Sequence, residues 1–470
     1  MNRREFLKST SFLIGGLYLS GRAFGTIQPQ DKGKLIKGRV KASGKGVHNV
    51  VVSDGYNVVA TDKKGRYALV LDKNAEHIFI ATPSGYQIKN VNGFAAIYLS
   101  VTDRNYNFEL RKNTFDDTHH FFLALGDPQI RVAEDAKQLN DESIKDITQH
   151  LQSTAKEKFH GISLGDSIWD NPKMWTKYQE AIAKIGIPFF QVVGNHDKNE
   201  INREEIDANS LFKSHFGPTY YSFNRGQVHY IVLDNVRYKN IKEYDGHISD
   251  EQLNWLQKEL QYVPKDHVLI ISAHIPIYNS IKNREELYAL ITEFEQVHIL
   301  SGHTHTNANH VDRHIYEHTH ASLCGAWWTG PVCADGTPRG YGVFEINGSK
   351  VTWYYKSIGR DHTYQFRSHV QQLNHGMNRI TVNVWNYDPQ WQITWYADGV
   401  YKGLLEQIKG YDELALKLYK GEDLPADRRG WVEPRHTDHL FFVQSNAKTV
   451  KIVVTDRFGN NYEETLNLKS

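Results

Sequence analysis

Five short motifs carry the side chains from which hydrolytic and metal chemistry is built. They are Gly126-Asp127-Pro128-Gln129, Gly165-Asp166-Ser167, Gly194-Asn195-His196-Asp197, Ser272-Ala273-His274 and Gly302-His303-Thr304-His305. The chain has 24 His and only 2 Cys, so any metal site must use imidazole and oxygen ligands rather than thiolates. Neutral imidazoles with hard oxygens suit Mn, Fe, Zn or Ni rather than copper. Two divalent ions held about 3.5–4 Å apart can clamp a phosphate and generate a hydroxide near neutral pH, and a carboxylate suits the position between them. Glycines beside these groups leave room for tight loops or for a close metal.

The motifs share one kind of position. Each follows the C-terminal end of an apolar run, at His120–Leu125, Gly161–Leu164, Pro188–Val193, Val268–Ser272 and His298–Leu300. A sixth run, His229–Leu233, has no motif. Such runs have the length and flanks of buried strands, and helical patterns lie between them at 135–158, 172–185, 250–262 and 284–296. Asn171 before Pro172 is a helix start. Alternation of this kind predicts an α/β sheet covered by helices, whose ligands collect at the carboxyl ends of the strands. Strand-rich stretches at 219–235 and 339–357 add antiparallel neighbours and predict two stacked mixed sheets.

The texture differs on both sides of this region. Residues 33–112 read as short strands with Asp54-Gly55 and Lys64-Gly65 at turns, a small β-sandwich. Its wording resembles carboxypeptidase regulatory-like domains, and a rigid spacer is the plainer reading. From 365 to 470 period-two stretches return at 380–385, 391–396 and 450–454, a second sandwich whose tryptophans are either core or a stacking platform. The first 25 residues form an address: Arg3-Arg4, an apolar stretch at 11–19 and Ala23-Phe24-Gly25. The Arg-Arg-x-Phe-Leu-Lys pattern resembles a twin-arginine signal, and an ordinary secretory signal is the alternative. Either predicts an exported protein, periplasmic or in the cell envelope. With 55 basic against 54 acidic residues, nothing favours nucleic acid or an anionic membrane surface, and no later segment is apolar enough to span a bilayer.

Taken in order, the five motifs resemble the calcineurin-like metallophosphoesterase family, whose pattern is D-x-H, G-D, G-N-H-D/E, a lone His and G-H-x-H. The resemblance covers residues 119–320 and implies a central four-layer αββα domain at 117–360 with a β-sandwich on each side. It implies a metal-dependent phosphate-ester hydrolase with two divalent ions. Asp166 would bridge them, Asp127, Gln129 and His305 would complete one site, and Asn195, His274 and His303 the other. His196 would protonate the leaving oxygen, with Asp197 orienting it. A hydroxide shared by the ions would attack a phosphomonoester or phosphodiester of unread identity.

Gln129 departs from the family pattern, because an amide oxygen is a weaker donor than imidazole. Purple acid phosphatases place a tyrosinate ligand three residues after the bridging Asp, and here that residue is Trp169. Trp327 and Trp328 read either as an aromatic wall for substrate or as packing. Cys324 and Cys333 read either as a disulfide or as two buried thiols. A non-catalytic binding module for a glycan or polymer is the competing reading of the whole chain.

Overall fold

The computed structural model describes residues 33–468 except 153, 199–207, 241–242, 422–423 and 427. The N-terminal address at 1–25 lies outside the described residues.

Two mixed sheets form the centre. In the first, the parallel strands His119–Leu125, Phe159–Ser163 and Phe189–Gln191 lie beside an antiparallel pair, Gly340–Asn347 and Lys350–Ser357. In the second, Val228–Val232, Val268–Ser272, Val297–Ser301 and Ile315–Thr319 run parallel. Antiparallel strands Tyr221–Arg225 and Ala308–Asp312 close its two edges. The strands at 159–163, 228–232, 268–272 and 297–301 are buried at every residue, and each overlaps one of the apolar runs.

Phe122, Ile162 and Phe190 of one sheet meet Phe223, Tyr230 and Ile270 of the other in a single apolar core. On the outer face of the first sheet, Leu123 and Leu125 pack under helical residues Leu139, Ile147, Trp175 and Ile182. Trp255 and Leu287 cover the second sheet. This is the four-layer helix–sheet–sheet–helix arrangement expected. Helices Trp175–Ala183, Asp250–Glu259 and Arg284–Ile291 fall inside their predicted ranges. Asn171 caps its turn by accepting from the Lys173 N–H. The first helical stretch is shorter than its pattern, ending at His150 after a π-type turn over Leu139–Ile144.

The flanking β regions each contain two four-stranded sheets around a separate apolar core. Of the tryptophans in the period-two stretches, Trp385 and Trp391 are buried core and Trp395 is half-buried. The N-terminal region is not self-contained. Its hairpin Asn90–Val91 and Phe94–Ala95 leaves the sandwich and extends the first central sheet, with Phe94 paired to Phe189. There Phe94, Tyr98, Phe189 and Phe216 line a cavity of about 680 Å³, which none of the five motifs reaches. Among the described residues no helix is long and apolar enough to cross a membrane.

Candidate metal centre

The five motifs leave their strands at one end of the paired sheets and converge. His274 Nε2 stands 3.0 Å from Asn195 Oδ1, 3.4 Å from Asp166 Oδ2 and 3.2 Å from His303 Nδ1. Asp166, His274 and His303 form a possible metal-binding cluster, their ligand atoms all within 4.8 Å of one another. Beside it, His305 Nε2 lies 3.7 Å from Asp127 Oδ1, and Gln129 Nε2 lies 3.2 Å from Asp166 Oδ2. All of the predicted ligands are therefore brought together, and all but His303 are buried.

Backbone geometry explains why these motifs carry glycine. A Cβ on Gly194 would stand 2.1 Å from the Asp166 nitrogen, and one on Gly302 would stand 2.4 Å from Asp127 Oδ2. The ligand residues themselves are bent into the left-handed region: Asp127, Gln129, Asp166, His303 and His305 all have φ between 42° and 70°. Such strain persists in non-glycine residues only where surroundings impose it, and it collects at functional sites. Here the imposing contacts are visible. The Gln129 N–H donates to the Asp166 carbonyl at 2.7 Å, and the His303 N–H donates to both Asp127 carboxylate oxygens at 3.0 and 2.9 Å.

Second contacts fix the imidazole tautomers. His274 Nδ1 faces the Leu164 carbonyl at 2.8 Å and His305 Nδ1 faces the Gly325 carbonyl at 3.0 Å. Each Nδ1–H is thereby committed, and each Nε2 presents its lone pair to the site. Four lone-pair donors crowd within hydrogen-bonding distance, while the Gln129 Oε1 is buried with no partner. This donor set fits a divalent cation of the borderline or hard kind.

The electrostatics agree. Burial pushes the Asp127 carboxyl up to about 8, with Asp166 adding to the rise. Burial also disfavours charge on Asp166, but His274 and His196 outweigh it and hold that carboxylate below its usual range. Burial likewise opposes charge on His274, yet Asp166 prevails and raises it to about 9. A positive charge is stabilised here whether a proton or an ion supplies it.

His196 is held differently from expectation. Its Nδ1 pairs with Asp170 Oδ2 at 2.8 Å. Asp197 turns away and accepts from the backbone N–H groups of Ser167, Ile168 and Gly194 at 2.8, 3.1 and 2.9 Å. Asp170 is thus the orienting carboxylate, and Asp197 ties the second and third motif loops together. Adjacency in Gly-Asn-His-Asp pointed to Asp197, but its carboxylate is taken up by those three backbone N–H groups. Asp170 was findable as the acidic residue closing the loop that starts at Asp166.

The tryptophans also separate. Trp328 is buried in the helix-side core, so it does not line a substrate wall. Trp327 stacks on His305 with centroids 4.3 Å apart and packs beside Leu414 and Leu418 of the C-terminal region. It is half-buried and backs His305. Cys324 and Cys333 are separate buried thiols.

Family models match in chain order: the N terminal of calcineurin-like phosphoesterase over residues 34–113, calcineurin-like phosphoesterase over 117–307, and its C terminal over 317–462. The chain belongs to the calcineurin-like phosphoesterase family. It is 31% identical over 140 residues to a probable glycerophosphodiester phosphodiesterase of Arcobacter nitrofigilis, covering 27% of this chain and 49% of that one. It is 26% identical over 174 residues to a 3′,5′-cyclic-nucleotide phosphodiesterase of Nostoc, covering 35% and 62%. The match thus spans about half to three-fifths of these relatives' lengths. Among solved structures, a purple acid phosphatase from yellow lupin seeds aligns with a TM-score of 0.40 and 14% identity, over 66% of this chain and 67% of that one.

Proposed function

We propose that the chain is a metal-dependent hydrolase of phosphoric diesters. The observation that carries this is the convergence of Asp127, Gln129, Asp166, Asn195, His274, His303 and His305 from five strand ends into one donor set, buried except at His303. Asp127, Gln129, Asp166 and His305 would hold one divalent ion, and Asp166, Asn195, His274 and His303 a second. Bound there, such ions would supply Lewis-acid charge for the phosphate and lower the pKa of water. The diester class is supported by the two relatives above, a probable glycerophosphodiester phosphodiesterase and a 3′,5′-cyclic-nucleotide phosphodiesterase.

The chain's own residues do the rest. The His196 backbone N–H donates to Asp166 Oδ1 at 2.8 Å, so the acid and the shared carboxylate keep a fixed spacing. Burial opposes a proton on His196, while Asp166 and the Asp170 hydrogen bond outweigh it and raise the imidazole above its ordinary value. A protonated Nε2 would then be available to the departing oxygen. No observation favours the non-catalytic binding alternative.

The test is hydrolysis by purified protein of a chromogenic diester and a chromogenic monoester with Mn²⁺, with and without chelator. Diester hydrolysis abolished by chelator is expected, and none with any divalent ion would sink the reading. Export belongs to the same proposal and is supported by the paired arginines. Arg3→Lys with Arg4→Lys is expected to hold the protein in the cytoplasm on fractionation.

A further inference from the structure

An aromatic pair stands beside His196 and has no part in holding metal. Trp169, three residues after Asp166, lies 6.0 Å from the His196 imidazole, centroid to centroid. Its loop is pinned on both sides: the Trp169 N–H donates to the Ile130 carbonyl and the Asp170 N–H to the His196 carbonyl, each at 3.0 Å. Trp431 of the C-terminal region meets Trp169 edge-on, with centroids 5.4 Å apart and planes at 85°.

Trp431 is 53% exposed, yet it is not a loose surface side chain. Two residues before it, Arg429 pairs with both carboxylate oxygens of Asp135 at 2.8 and 3.0 Å. One residue after it, Val432 is fully buried. Four residues after it, Arg435 donates to the Thr304 carbonyl at 2.8 Å, between the ligands His303 and His305. A large apolar ring is therefore held out to water at a defined place on the rim of the site. Two guanidiniums flank Trp169, those of Arg131 at 4.8 Å and Arg429 at 4.7 Å. Asp135 matches the charge of Arg429. The Arg131 guanidinium, which lies over Trp169, stands at the same rim.

We propose that Trp169, Trp431 and Arg131 form a subsite for the departing group of the substrate, and that this group carries a ring that stacks on Trp431. The proposal rests on the reading of His196 as the acid, since the group it protonates must leave along the wall next to it. An exposed, pre-positioned indole offers a flat apolar face at little entropic cost, which a sugar or a base can cover and a short open-chain alcohol cannot. Arg131 would favour an anionic or strongly dipolar substituent beside the ring.

The test uses the full-length chain loaded with Mn²⁺ and calorimetric binding of three phosphates: adenosine 5′-monophosphate, glucose 1-phosphate and glycerol 3-phosphate. At least one ring-bearing probe is expected to bind about tenfold more tightly than glycerol 3-phosphate, the scale of one ring stacked on an aromatic side chain. Trp431→Ala should erase that excess, Trp431→Phe should keep most of it, and glycerol 3-phosphate should bind all three proteins alike. Whichever probe shows the excess tells base from sugar. No excess in the unaltered protein, or equal weakening of all probes by Trp431→Ala, would overturn the proposal. Because binding is read without turnover, a Trp431-dependent excess in a protein that hydrolyses nothing would retain a ring-binding site and overturn its reading as a departing-group subsite.

Discussion

The two halves of the candidate metal centre are supported by different parts of the molecule. The half around Asp166, Asn195 and His274 leans on the central sheets alone, through Leu164, Gly194 and the Asp197 carboxylate. The half around Asp127 and His305 leans on the C-terminal region. Trp327 backs His305 and packs beside Leu414 and Leu418, Arg435 holds the Thr304 carbonyl, and Asp335 reaches from Asn307 to His439. One half is contacted by the core alone, and the other is also contacted by a second domain. The difference teaches that the C-terminal region is part of the centre's frame rather than an attachment to it.

The largest effect should come from the residue common to both halves. Asp166→Asn is expected to abolish hydrolysis and to lower metal content at both positions in elemental analysis. Full double occupancy in that variant would erase the distinction between halves, since neither would then depend on the shared carboxylate. His196→Ala comes next. It belongs to the core-built half but is not a ligand, so metal content should stay unchanged while turnover falls by about 10²–10⁴. The loss should shrink for esters with a good leaving group, and a variant that instead lost metal would make His196 a ligand.

The flank-supported half is probed through Asp335. Burial opposes its charge, but His439 and the backbone of Asn307 and Thr337 outweigh burial and hold the carboxyl below its usual range. The sign follows: a carboxyl lowered on folding adds stability above its unfolded pKa near 3.9, and that stability is lost as pH falls through the lowered folded value. Asp335→Asn should therefore melt earlier than the parent at pH 7, by a margin that closes as the pH drops below about 4. A margin independent of pH would show that the Asp335 charge does not hold this half.

The smallest effect concerns Gln129. Replacing its amide by imidazole leaves the formal charge of the site unchanged and raises donor strength, so Gln129→His should slow ion loss from the flank-supported half during dialysis. Equal retention in both proteins would leave that half dependent on Asp127, Asp166 and His305 alone.

Much of this was legible in the sequence because strand ends and ligand types are local signals. The apolar runs before Asp127, Asp166, Asn195, His274 and His303 announced the strands, and glycine beside the acidic and imidazole groups announced the loops. What could not be read were partnerships that close in space. Asp170 and Asp197 are equally plausible neighbours for His196 until the backbone shows which one turns toward it. The Trp431 contact joins residues 262 positions apart through a docked domain, and no period or spacing records it. The hairpin at 90–95 was invisible for a similar reason: two-residue strands have no period, and their place is set by the sheet edge that receives them.

The left-handed backbone at Asp127, Gln129, Asp166, His303 and His305 also governs what mutational scanning can reveal. An L-residue there carries a penalty of roughly 1–2 kcal/mol, which glycine escapes and which asparagine and aspartate soften. Alanine at these positions thus removes a ligand while keeping the conformational penalty, and valine or isoleucine adds a further steric one. A scan of all substitutions should rank asparagine and glycine above alanine for folded yield while ranking all three alike for catalysis. The five positions would then separate, by side-chain type alone, selection for a foldable chain from selection for an active one.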